Sequence, residues 1–318
     1  MTEIRATLVK KLRDRTGAGV IDCKKALVET QGDLEAAVDR LRAAEVEKAA
    51  RKVDRAAAEG LVGLVVDGTK GAIAELNSQT DFVARTQAFQ NAAAAFASIA
   101  LRVHGDHDAL LNAPAPDGDG CVSDVIARLA ARTGEHVNLR RSAFVSVSHG
   151  VVASYVHSAV GPGLGRIGVL VALESPGNAD ALLDIGHKIA MHVAASAPLW
   201  VSREDIPMEV VAEKRAALTE QAQKTGKPSD IVEKMVEGRL RKFYEEVLLS
   251  MQPLVLNPDQ RVEEALKEAE KAAGAALAIT AFVRFRTGEG IDRPPSQDDR
   301  VIGDRDSAAP ITRSPDRR

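Results

Sequence analysis

Apolar positions recur at two spacings along this chain. Ile4, Leu8 and Leu12 stand four apart, one stripe of a helix. Thr16-Gly17-Ala18-Gly19 ends that stripe, because glycine tolerates a left-handed cap conformation. A second helix is predicted from about Asp22 to Thr30, with Cys23, Ala26 and Leu27 inward and a stop at Gly32. Asp33 is a good N-cap for a third, which carries Leu34, Val38 and Leu41 on one face. Residues 1–55 therefore predict a three-helix bundle, with a charged, alanine-rich run as its exit.

The period then shortens. Gly60–Val66 and Ala72–Leu76 flank Asp67-Gly68-Thr69-Lys70-Gly71, a hairpin signal. After Asn77-Ser78-Gln79-Thr80-Asp81 comes an alanine-rich helix near Thr86–Leu101, with Phe89, Ala93 and Phe96 on one side. Pro114, Pro116, Gly118 and Gly120 mark a surface loop, and a further helix follows near Val122–Arg132. Strand signals return at His136–Val147, Val151–His157 and Ile167–Leu173, before a helix over Ala179–Ala195. Hairpin-then-helix thus occurs twice, with Gly71-Ala72-Ile73-Ala74 echoing Gly165-Arg166-Ile167-Gly168. Two related α+β subdomains are expected, at 56–140 and 141–200.

Pro207 and Pro228 suit helix first turns and Gly226 a cap, so Val210–Lys224 and Ser229–Leu248 read as two long antiparallel helices. Their seam is expected to carry Val210, Val211 and Leu218 against Ile231, Met235, Phe243 and Val247. A protruding coiled-coil hairpin over 201–250 is the implied form. A helix (Arg261–Ala273) and a strand (Ile279–Phe285) within 251–291 return to the body. The last stretch, 292–318, holds six Asp, six Arg and four Pro with few apolar residues. It lacks the apolar surface to fold and is expected to be disordered. The fold class is α+β.

Composition narrows the function. Lys and Arg total 42 against 45 Asp and Glu, for a net charge of −3, which removes the global electrostatic case for nucleic-acid binding. Cys23 and Cys121 form no CxxC pair, so a disulfide scaffold or zinc ribbon is out and a reducing compartment is expected. No apolar run approaches the ~20 residues of a membrane span. The start reads at once as helix, without a signal-peptide core, and the expected location is cytoplasmic.

Candidate chemistry is sparse. Gly163-Leu164-Gly165-Arg166-Ile167-Gly168 matches GxGxxG, but Val169–Leu173 behind it reads as a strand, where a dinucleotide fingerprint needs a helix N-terminus. Gly226-Lys227 resembles part of a phosphate loop whose first glycine position holds Gln221. His187 and His192 point about 140° apart on a helix and cannot share a metal; one is expected buried and the other exposed. His104, Asp106, His107 and Asp108 read as a solvated loop. No Ser, Cys or Lys has a base partner in its sequence context, so neither an enzyme, a cofactor nor a bound metal is expected.

Thr80-Asp81-Phe82-Val83 stands apart. Thr80 can cap a short helical turn, which alone would explain it. Phe82 follows a polar stretch at a strand-to-helix junction, where a large aromatic is expected to be partly exposed. An exposed aromatic beside a carboxylate on a rigid turn can form a wedge into a partner. Cap and interface weigh about evenly from the residues alone.

Taken together, these stretches closely resemble the bacterial elongation factor Ts family, the nucleotide-exchange factors for elongation factor Tu. The resemblance rests on Thr16–Gly19 with Asp22–Leu27, Gly32-Asp33, Asn77–Ala84, Lys188–Ser196, Lys234–Arg239 and Phe282–Phe285, in order, across roughly nine tenths of the chain. It implies an N-terminal module like a ubiquitin-associated domain, a two-subdomain α+β core and a coiled-coil arm. It also implies that Thr80, Asp81, Phe82 and Val83 push into the GTPase near its Mg²⁺ site. Leu12 and the turn Gly17, Ala18, Gly19, Val20 and Ile21 would touch the same GTPase domain, and Tyr155 and His157 the partner's third domain. A homodimer stays open. The Gly161-Pro162-Gly163-Leu164-Gly165 loop enlarges the hairpin beside His157, and the Pro/Asp/Arg tail stands where some members carry a partner-binding helix.

Two other readings stay in view. A non-catalytic adaptor using the three-helix module and coiled coil would leave GDP release unchanged. A nicotinamide-dependent enzyme would need its GxGxxG ahead of a helix.

Overall fold

The structure is a computed structural model and describes residues 6–16, 19–41 and 56–291. Ile4, the turn residues Gly17 and Ala18, the exit from the bundle and the tail expectation lie outside the described residues. Two compact units result, a helical one that ends near Ala56 and a larger one over Ala57–Ile291.

In the helical unit, α1 (Ala6–Thr16) and α2 (Val20–Glu29) are followed by α3, described over residues 34–41. Cys23, Ala26 and Leu27 face inward as their spacing predicts, and meet Leu12, Ala37, Val38 and Leu41 in one small core. Asp33 starts α3: its Oδ1 accepts the N–H groups of Glu35 and Ala36 at 3.0 and 3.1 Å.

The larger unit is built from two antiparallel sheets. The hairpin β1 (Glu59–Asp67) and β2 (Lys70–Ser78) forms the centre of a four-stranded sheet in the order β3-β2-β1-β5. Here β3 is Asn138–Ser146 and β5 is Leu164–Gly165. A second sheet, β4-β6-β9, joins Gly150–His157, Ile167–Glu174 and Ala278–Arg286. Val62, Ile73 and Val145 of the first sheet meet Val152, Leu170, Ala172 and Phe285 of the second in a shared core. The echo glycines lie at this junction. A Cβ on Gly71 would come within 2.8 Å of Val152 Cγ1, and one on Gly168 within 2.7 Å of Val62 Cγ1. Helices cover the outer faces, α5 (Gln87–Arg102) on the first sheet and α8 (Ala179–Ser196) on the second. The layers therefore run helix, sheet, sheet, helix.

The two halves share a topology. In each, a hairpin leads to a covering helix, and a later strand pairs antiparallel to the second strand of that hairpin. The helix before that later strand is 12 residues long in both halves: α7 (Val122–Thr133) ends on left-handed Gly134, and α11 (Val262–Ala273) on left-handed Gly274. The first connection is longer. Between β2 and α5 lies an extra turn, α4 (Asp81–Ala84), whereas Asn178 caps α8 directly after β6, its Oδ1 accepting Ala181 N–H at 3.0 Å. A short helix that the pattern did not predict, α6 (His107–Asn112), starts on the Asp106 carboxylate.

Between α8 and α11 the chain forms α9 (Met208–Gln223) and α10 (Ser229–Val247), which pack on each other. The seam is one position off the expected one. Val232, Val236, Leu240 and Tyr244 are the buried α10 residues, against Leu218 and Ala222 of α9. Neighbouring helix positions differ by about 100°, so Met235, Phe243 and Val247 flank the seam and Ile231 is 40% exposed. At the base, Leu199 N–H donates to Val247 O and Leu249 N–H to Trp200 O, both at 2.9 Å. The hairpin β7 (Pro253–Leu254) and β8 (Asn257–Arg261) follows.

Candidate functional site

The turn after β2 is fixed from several sides. Ser78 Oγ donates to Thr80 O at 2.8 Å. Thr80 N–H donates to Glu135 Oε2 at 3.0 Å, and its hydroxyl donates to Glu135 Oε1 at 2.6 Å. Thr80 is the N-cap of α4 by position (φ −128°, ψ 155°), yet its hydroxyl accepts no helix N–H and instead donates to Glu135. The capping role expected of it is thus corrected to a tertiary pin. Glu135 reaches this place because Gly134, at φ 65°, turns the chain out of α7.

Within α4 the two large apolar residues part company. Val83 is 6% exposed and lies in the core with Phe89 and Leu76, while Phe82 is 77% exposed. Asp81 pairs with Arg85 one turn later at 2.7 Å, and Arg85 N–H closes the turn onto Asp81 O. Thr86 then caps α5, accepting Phe89 N–H at 3.4 Å while its own hydroxyl donates to Val83 O. The result is an aromatic side chain projecting beside a carboxylate from a turn that is held from behind.

Other expected contacts divide. Leu12, expected to touch a partner, is 0% exposed: its stripe faces α2 and α3, so it is core and cannot make that contact in the folded bundle. Val20 and Ile21 point outward, Ile21 at 82% exposure, directly after the N-cap Gly19. Gly17 and Ala18 lie outside the described residues. His157 is exposed at the end of β4, its Nδ1 3.2 Å from Tyr155 Oη. His187 of α8 stands edge-on to the Tyr155 ring at 5.7 Å. The enlarged loop beside them folds back onto the first sheet, where Leu164 and Gly165 pair with Gly63 and Val62.

The remaining candidates resolve locally. The GxGxxG run leads into strand β6. Gly226 is left-handed, at φ 68°, in the turn between α9 and α10. His192 is buried: its Nε2 lies 2.8 Å from Gln252 Oε1, and its Nδ1 accepts Val255 N–H at 3.2 Å. Burial holds its pKa below the ordinary 6.5, partly offset by the bond to Gln252. His187 is exposed, so one of the two is buried and the other exposed, as expected. Asp106 is engaged as the α6 cap, and among the described residues no cluster of His, Cys, Asp and Glu could hold a metal ion. No helix among them is long and apolar enough to cross a membrane.

Sequence reasoning missed Glu135 and Arg85. Arg85 sits at i+4 from Asp81 and was findable from spacing; Glu135 lies 55 residues from Thr80, and no local pattern announces that contact.

Fold and site together define an α+β protein of two packed sheets that carries a helical hairpin and displays an aromatic side chain from a pinned turn. The family described as Elongation factor TS matches residues 79–289, most of the larger unit. An elongation factor Ts from Parvibaculum lavamentivorans is 51% identical over 93% of this chain and 96% of its own length. Those of Rhizobium etli and Agrobacterium fabrum are each 50% identical, over 92% and 93% of the chain and 95% and 96% of theirs. The chain belongs to the elongation factor Ts family, which places it in the elongation stage of protein biosynthesis.

Proposed function

We propose that this chain is a guanine-nucleotide exchange factor: it binds elongation factor Tu·GDP, disturbs the Mg²⁺ and phosphate site, and speeds GDP release. The observation that carries the reading is Phe82, 77% exposed on a turn whose other residues are anchored. A large aromatic left in water by a fold that buries Phe89 and Phe96 completely is suited to a pocket outside this chain. Burying it there is worth about 1.5–3 kcal/mol. Asp81 brings negative charge toward the metal and phosphates, and Val83 anchors the turn from inside.

The mechanism is one of linkage. A GTPase holds GDP partly through Mg²⁺, whose charge bridges phosphate oxygens and side chains. A protein that binds the nucleotide-free state preferentially weakens nucleotide by the factor by which nucleotide weakens it. No bond is made or broken, and no nucleophile or general base is needed from this chain. Val20 and Ile21, His157 with Tyr155, and the α9–α10 hairpin as a protruding arm are read as secondary partner surfaces. The bundle is read as a module like a ubiquitin-associated domain.

The test is release of fluorescent GDP from elongation factor Tu with and without this chain. The reading expects strong acceleration that excess free Mg²⁺ opposes. Unchanged release together with tight binding would favour the adaptor reading.

A further inference from the structure

The geometry points to Glu135 as the positioning residue of the exchange wedge: by taking both hydrogens of Thr80, it holds α4 in the orientation that keeps Phe82 outward. This inference rests on Phe82 being the inserted anchor, as proposed above.

Three observations carry it. The first is that α4 cannot hold itself. It has four residues, well short of the ~12–15 at which isolated helices become even marginal in water. Thr80 also supplies no side-chain cap, its hydroxyl donating to Glu135 instead. The turn's shape therefore comes from tertiary contacts: Val83 and Ala84 in the core, the Ser78 bond to the Thr80 carbonyl, and the Glu135 carboxylate.

The second is the commitment of Glu135. Both its oxygens go to one residue, on the backbone and the side chain at once. Bonds to an ionised acceptor are the strong ones, and two from one carboxylate fix direction as well as distance. Its own N–H donates to Thr133 Oγ1 at 3.3 Å, which ties the acceptor to the end of α7.

The third is an internal control. α11, Gly274 and β9 repeat the α7, Gly134 and β3 arrangement, and Ala275 follows Gly274 where Glu135 follows Gly134. In that half no extra turn precedes the covering helix, and the α8 N-cap Asn178 is tied to the end of α11 through backbone alone, its N–H donating to Ala273 O at 2.9 Å. A tie from the N-cap residue to the end of α7 or α11 is thus common to both halves; only in the half with the Phe82 turn does a carboxylate make it, taking the hydroxyl as well as the backbone N–H.

Without the pin, Phe82 would be presented for only part of the time, and apparent affinity would fall by that fraction while the bound complex stayed competent. Five full-length proteins test this: wild type, Glu135→Ala, Glu135→Gln, Phe82→Ala and the double variant. Each is titrated against elongation factor Tu loaded with fluorescent GDP. For Glu135→Ala, half-maximal stimulation is expected to need about five- to tenfold more factor, with the plateau rate and melting temperature kept. Amide exchange at residues 80–84 should speed up. Glu135→Gln, which keeps one acceptor oxygen, should fall between. In the Phe82→Ala background, Glu135→Ala should add nothing, a coupling that a merely structural role would not produce. An undiminished Glu135→Ala effect in that background, or unchanged amide protection at 80–84, would overturn the proposal. Faster local amide exchange with wild-type stimulation by Phe82→Ala would instead overturn the anchor reading alone.

Discussion

Phe82 and Val83 are consecutive residues with opposite fates: one is 77% exposed, the other 6%. In a helical turn, neighbours differ by about 100°, so four residues suffice to sink one apolar side chain and display the next. The pair predicts a split in stability. Val83→Ala should destabilise the larger unit by about 1–2 kcal/mol through lost burial and a small cavity. Phe82→Ala should stay within about 0.5 kcal/mol of wild type, as surface changes do. Urea melts followed by circular dichroism check both, and a Phe82→Ala loss as large as that of Val83→Ala would mean the ring is core.

A second pair of variants addresses the helical unit. Leu12→Ala should cost about 2–5 kcal/mol, because Leu12 is fully buried among Cys23, Leu27 and Val38. Ile21→Asp should leave the melting curve in place and weaken binding to elongation factor Tu. Melts and a binding titration on the two variants distinguish core from contact, and the reverse assignment would restore Leu12 as the partner residue.

Glu75 offers a test of what joins the ends of the larger unit. It is fully buried on β2, where it accepts from Arg140 at 3.2 Å, Arg141 at 2.6 Å and Gly288 N–H at 2.8 Å. Removing one member of a buried ion pair leaves the others uncompensated, at about 3–5 kcal/mol. Glu75→Ala should cost somewhat less than that, about 2–3 kcal/mol, since both arginines keep some access to water. Thermal and urea unfolding read the loss directly.

His192 sets a pH dependence. Burial lowers its pKa in the folded chain below the ordinary 6.5, so the unfolded chain binds the proton more readily. The sign follows: His192 leaves stability intact above about pH 6.5 and costs it as pH falls from there toward the lowered folded value. Protonation would also set a second N–H against the Val255 N–H that now donates to Nδ1. Melting temperatures from pH 8 to pH 5 should drop less steeply for His192→Asn than for wild type, once the variant's overall stability offset is subtracted. Equal slopes would remove His192 as the source.

Much of the architecture was legible because local pattern and tertiary role agree. Phe89, Ala93 and Phe96 marked the buried face of α5, and the Asp67–Lys70 stretch located the β1–β2 turn. What failed did so for physical reasons. Ile231 and Val232 are both apolar, and only packing against Leu218 and Ala222 chooses between faces about 100° apart. Leu12 was carried over as a contact from resemblance, although its place on the Leu8–Leu12 stripe already made it core. The Thr80 hydroxyl can accept a helix N–H and can donate to a distant carboxylate, and the fold uses only the second. Sequence spacing shows only the first; the second depends on sheet closure bringing Glu135 alongside.

The most direct measurement is the rate of fluorescent GDP release from elongation factor Tu, stimulated by wild type and by Phe82→Ala at matched concentration, beside melting curves of both. The account predicts at least tenfold weaker stimulation by Phe82→Ala, about 1.4 kcal/mol of lost coupling, with the melting temperature unchanged. Wild-type stimulation by the variant, or a loss of stability large enough to explain the whole loss of rate, would contradict it.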